Sequence, residues 1–116
     1  MAVKRVQEIG CAVPFFDDDV NATDVLVQAG ETIVLNVSLH NVEVADSFLL
    51  MFDAAAIGDV TVGTTIPDYV VPNDANGIVN MSFPFGLHFL LGLVIASTTT
   101  TNGSTNAAQD VSLAIA

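Results

Sequence analysis

The sequence predicts an all-β domain, an antiparallel β-sandwich of about seven to nine short strands. Three observations predict it. Residues 32–40 and 111–116 alternate apolar and polar side chains with a period of two, the signature of strands with one buried face. Turn-forming residues and polar runs, such as Asn73 to Gly77 and residues 98–106, break the chain at intervals suited to short strands. No window longer than about ten residues keeps a helical period; the alanines at 54–56 start at most one turn, which Gly58 stops.

Along the chain, residues 3–9 form a weak first strand candidate and residues 25–28 a second. In residues 32–40, Ile33, Leu35, Val37 and Leu39 share a face. Residues 47–53 are apolar on both faces, with Phe48, Leu50 and Phe52 against Leu49 and Met51. Such a strand is central, or has its outer face covered by a neighbouring subunit. Residues 60–62 are another weak candidate. A β-branched run at 69–71, closed by Pro72, precedes residues 78–83, and the Asn76-Gly77 step between them suits a hairpin because it tolerates positive φ. Residues 87–97 read as the longest strand, with Leu87, Phe89, Leu91, Leu93 and Ile95 on one face and Gly92 marking a bulge or a close backbone approach. Residues 98–106 read as an exposed loop and 111–116 as a C-terminal strand. Two sheets packed face to face follow, as a jelly roll or an immunoglobulin-like sandwich. The chain has no Trp, so nothing favours the immunoglobulin pattern.

At 116 residues the chain suits a single domain spanning 1–116, with residues 1–12 as an arm toward a neighbouring subunit. Apolar residues make up 52% of it, more than a small soluble surface readily hides. Part of that surface is expected to meet protein. Thirteen acidic residues face only two cations, Lys4 and Arg5, for a formal charge of −11. Nucleic acid and anionic membrane surfaces are poor partners for such a chain. Cys11 is alone, so no internal disulfide forms. Charges interrupt the first ten residues before an apolar core of a signal peptide develops, so synthesis in a cytoplasm without secretion is expected. The four Asn-X-Ser/Thr triplets, at Asn21, Asn36, Asn80 and Asn102, are then chance.

Catalytic and metal-binding patterns are sparse. Asp17, Asp19, Asn21 and Thr23 place oxygen ligands at alternate positions, as in the first part of a calcium loop. Ala22 stands where the turn needs Gly, however, and Gln28 where a bidentate Glu belongs. The segment reads as a solvated acidic turn, with Asp17, Asp19 and Asn21 as the weak calcium candidates. His40 and His88 lack a second soft ligand at zinc spacing, and Cys11 has no adjacent cation to activate it. No nucleophile elbow or phosphate-cradling glycine loop is present. A non-enzyme without a cofactor is expected.

The segments Gly63-Thr64-Thr65-Ile66-Pro67, Val70-Val71-Pro72, Phe83-Pro84-Phe85-Gly86-Leu87 and residues 92–100 resemble small β-rich virion proteins of tailed phages. The resemblance covers the C-terminal half. It implies a head decoration, or cement, protein: a small β-sandwich, often trimeric, bound to the major capsid protein at symmetry axes or subunit junctions. On this reading the chain resides in the virion and stabilises the shell through apolar and strand-addition contacts. Val3, Lys4, Arg5, Val6 and Ile9 are the partner-contact candidates, adding a strand to a neighbour while the two cations meet its acids. Two competing expectations are a glycan- or receptor-binding module using residues 98–106 and Tyr69, and a filament or surface-layer subunit that exchanges terminal strands.

Overall fold

The alternating segments become eight strands in the computed structural model, which describes residues 13–116. They are β1 (Val13–Val20), β2 (Val25–Ala29), β3 (Thr32–His40), β4 (Ser47–Asp53), β5 (Tyr69–Asn73), β6 (Ile78–Phe89), β7 (Gly92–Thr98) and β8 (Gln109–Ile115). A single 3-10 turn, Ile57–Asp59, is the sole helical element among the described residues. It starts after the alanines and contains Gly58, because Ala54 remains buried against the sheet.

Two antiparallel sheets form, β1-β8-β3-β6 and β2-β7-β4-β5. Pairing is nested: β4 with β5, β3 with β6, β2 with β7 and β1 with β8. One long antiparallel ribbon, rolled so that alternate strand pairs fall into opposite sheets, gives this order. It is the jelly roll. An immunoglobulin sandwich would pair the first two strands, which here lie in different sheets.

The inward faces meet in one core. Val34, Val37 and Leu39 from β3 and Val111, Leu113 and Ile115 from β8 pack against Leu49 and Met51 of β4 and Leu93 and Ile95 of β7. Tyr69 and Phe83 add an edge-to-face pair between the sheets, with ring centroids 5.8 Å apart. One end of the sandwich is closed by amides. Gln109 donates to Ser97 Oγ at 3.0 Å and accepts from Asn73 Nδ2 at 3.2 Å, tying the two sheets together. At the same end Asn41 Nδ2 donates to the carbonyls of Ala45 and Asp74, at 2.8 and 3.0 Å.

The second sheet also buries its outer face. Leu50 and Phe52 of β4 and Val94 and Ala96 of β7 point away from the main core, yet all are buried. The loop at 54–68 covers them, laying Ala54, Val60 and Val62 across the sheet. The two apolar faces of β4 therefore reflect a central strand roofed by its own chain, so no neighbouring subunit is needed to explain them. Residues 60–62 form no strand because their role is this roof. Gly63, with φ of +94°, lets the loop pass so near the β7–β8 loop that a Cβ there would lie 2.8 Å from Ser104 Cβ.

Three sequence expectations are corrected. Residues 87–97 are not one strand: β6 ends at Phe89, the chain crosses between sheets at Leu90 and Leu91, and β7 begins at Gly92. Apolar alternation runs through the corner because both strands face the same core. Gly92 marks a close backbone approach, since a Cβ would fall 2.5 Å from Ala54 O and 2.7 Å from Gln28 O. The Asn73–Gly77 joint is also an inter-sheet corner, not a hairpin, because β5 pairs with β4 and β6 with β3. Asn76 does take positive φ there, at 54°. Finally, β1 occupies a segment read from sequence as an acidic turn, with Phe15 turned inward and Val20 fully buried.

Candidate interaction surface

Turns usually expose Gly, Asn, Asp or Ser, which satisfy their own backbone and favour water. The β6–β7 corner exposes two leucines. Leu90 is 69% and Leu91 60% exposed, on a backbone tied down by hydrogen bonds. Both amides donate to the Asp53 carboxylate, at 3.1 and 2.7 Å, while Gly30 N donates to Leu91 O at 2.8 Å. Asp53 N in turn donates to Asp68 Oδ2 at 2.7 Å, so the clamp is itself anchored. These bonds hold the backbone of both leucines at the outward corner. Phe85, 94% exposed, tops a bulge in β6 where residues 83–86 oppose Leu35 alone, and Gly86 supplies the positive φ of 76° that the bulge requires.

Sequence periodicity missed this surface because Leu90 and Leu91 sit inside a run that reads as buried strand. The signal available was the run's length: eleven consecutive residues at 87–97, with a glycine inside, exceed the usual five or six of a strand.

The predicted site residues fall elsewhere. Asp17 and Asp19 lie at the bulged end of β1 and Asn21 follows it, each in a local hydrogen bond. Asp19 N donates to Asp17 Oδ1 at 2.9 Å, Asn21 Nδ2 to Asp19 O at 3.1 Å, and Thr23 N to Asn21 Oδ1 at 2.9 Å. Among the described residues no group of three or more His, Cys, Asp or Glu side chains is placed to hold a metal ion. Val3, Lys4, Arg5, Val6 and Ile9, with Cys11, lie outside the described residues. His40 and His88 sit on opposite ends of the first sheet's outer face, His40 with Nδ1 3.7 Å from Asp110 Oδ2.

Tyr69 and residues 98–106 do not form one site. Tyr69 points into the core against Phe83, and it pairs with Met51, whereas the loop begins beside Phe48 at the other end of β4. The loop is exposed, as expected, apart from buried Thr98. It is closed by a Thr98–Asn106 bridge and by Ala22 N donating to Asn106 Oδ1 at 2.8 Å.

Each described edge strand carries a device that resists pairing with another chain. Three aspartates and a register shift interrupt β1, and a register shift interrupts β2. Pro72 removes a donor from β5, and Pro84 with the bulge disrupts β6. These edges favour contact through faces and corners over strand addition.

The chain matches no protein-family model, no curated protein and no solved structure.

Proposed function

We propose that this chain is a non-catalytic virion structural protein, a decoration or cement protein that binds the major capsid protein and stabilises the shell. The observation that supports the reading is the exposed Leu90–Leu91 corner, its backbone held by Asp53 and Gly30, on a domain that also exposes Phe85, Val44, Ile66 and Ile78 among its carboxylates. Aliphatic side chains fixed in water are stabilised when a partner covers them, at about 25 cal/mol per Å² of apolar surface removed from solvent. The jelly roll is an architecture shared by capsid and lectin domains, which is compatible with this role. Surplus carboxylates keep free copies apart from one another and from nucleic acid until they dock. A homo-oligomer, a trimer on this reading, would multiply a modest contact by avidity. The interrupted edges favour contact through the corner and Phe85 over strand addition, so strand addition at the described edges is not part of the proposal.

Cosedimentation with shells stripped of this chain tests it. Wild-type protein should saturate at a fixed ratio to capsid subunits, and the double variant Leu90→Ser, Leu91→Ser should bind about tenfold or more weakly with unchanged circular dichroism. No saturable shell binding by the wild type would refute the proposal.

A further inference from the structure

An asparagine followed by glycine can react without an enzyme. The glycine amide nitrogen attacks the asparagine Cγ, and the side-chain nitrogen leaves as ammonia, carrying the glycine proton with it. The succinimide ring so formed takes up one water at either carbonyl and opens to aspartate or isoaspartate, with nothing oxidised or reduced. Glycine suits the attack because it has no Cβ to hinder ring closure. Two further requirements lie in the fold. The glycine N–H must be free to give up its proton, which a good hydrogen bond to a carbonyl opposes, and the backbone must be free to turn that nitrogen toward Cγ.

The chain has two such steps, Asn76-Gly77 and Asn102-Gly103, and both asparagines are exposed. The first is fastened on every side. Gly77 N donates to Asp74 O at 2.8 Å, Gly77 O accepts from Asn41 N at 2.9 Å and from Asn73 Nδ2 at 3.1 Å, and Asn76 N donates to Glu43 O at 3.0 Å. Its surroundings are also close-packed: a Cβ on Gly77 would lie 2.4 Å from Asn73 Oδ1 and 2.7 Å from Asp74 O. The second step stands at the tip of the β7–β8 loop. Only the base of that loop is tied, by the Thr98–Asn106 bridge and by Thr99 N donating to Thr105 O at 3.0 Å. Residues 101–102 form an open turn, in which Gly103 N makes no hydrogen bond of good geometry among the described residues. Neither the backbone nor the side chain of Asn102 makes one either. One dipeptide therefore occurs twice, once locked and once loose.

We propose that Asn102 is a site of spontaneous deamidation and that the fold protects Asn76 from the same reaction. Each event at Asn102 replaces a neutral amide with a carboxylate. The isoaspartate product also adds a methylene to the backbone two residues before Ser104, the residue that Gly63 of the roof approaches. The proposal does not depend on a capsid partner. Incubation of the full chain at mildly alkaline pH, folded and in urea, with peptide mapping by mass spectrometry, tests it. In the folded chain Asn102 should convert about tenfold or more faster than Asn76, because reaction at Asn76 must first break several hydrogen bonds. The Asn102 product should be a mixture of aspartate and isoaspartate, and Asn102→Gln should remove it. In urea the two rates should draw together as Asn76 is released. Equal rates in the folded chain, faster loss of Asn76, an Asn102 that stays intact when folded, or a rate difference that persists undiminished in urea would each overturn the proposal.

Discussion

The outer faces of the two sheets show how one chain treats similar backbone surfaces in opposite ways. Outside the second sheet lie Leu50, Phe52, Val94 and Ala96, and a loop of fifteen residues, 54–68, roofs them. Outside the first lie Ser112 and the hydrogen-bonded set Asn36, Ser38, Asn80 and Ser82, with Ser82 Oγ donating to Asn36 Oδ1 at 3.1 Å, flanked by the exposed Phe16 and Ile78. No described loop covers them. Apolar atoms gain from leaving water, so the first set acts as a second core, whereas small hydroxyls and amides satisfy one another in place and gain little from a cover. A strand facing apolar atoms both ways thus needs a long connection beside it.

Substitutions on the two faces would break or sharpen this contrast. Phe52→Ala should cost about 3–5 kcal/mol in urea denaturation, because it empties the roofed layer as a core truncation does. A loss below about 1 kcal/mol, the level of a surface change, would mean that the roof rests loosely on the sheet. Gly63→Ala attacks the same roof from its far end, forcing a Cβ toward Ser104 at positive φ, and about 2 kcal/mol should be lost. For Val60→Ala the expected loss is about 1.5 kcal/mol, the value of two methyl groups returned to water. Amide exchange should also accelerate in residues 54–68 of that variant while staying slow in β8. On the open face, Ser112→Ala should change stability by no more than about 0.5 kcal/mol. A much larger effect there would show that the polar face carries packing of its own.

Legibility in the sequence followed the same division. The segments β3 and β4 have the same bounds in the sequence as in the fold, but the face expected for β3 does not hold. A bulge at Leu35 shifts the register between Val34 and Asn36, so Val34 joins Val37 and Leu39 in the core while Ile33 and Leu35 are only partly buried. By contrast, β1 was hidden by Pro14 and three aspartates, poor strand formers that an edge tolerates because one side of its ladder faces water. The leucine corner was hidden by the opposite cause. Leu90 and Leu91 have strong apolar character, and only the clamp from Asp53, thirty-seven residues away in the chain, turns them outward. Local pattern cannot register a constraint supplied by a distant carboxylate.

By itself the sequence determined the class, the strands with one clear face, the scarcity of cations and the absence of recognisable catalytic motifs, because these depend on side-chain chemistry and short-range period. The tertiary structure alone decided that the order is a jelly roll, that the second apolar face is roofed internally, and that two leucines stand in solvent. Those outcomes depend on which strands cross between sheets, and the crossings rest on backbone contacts between residues far apart in the chain, such as Gly92 against Ala54 and Gln28.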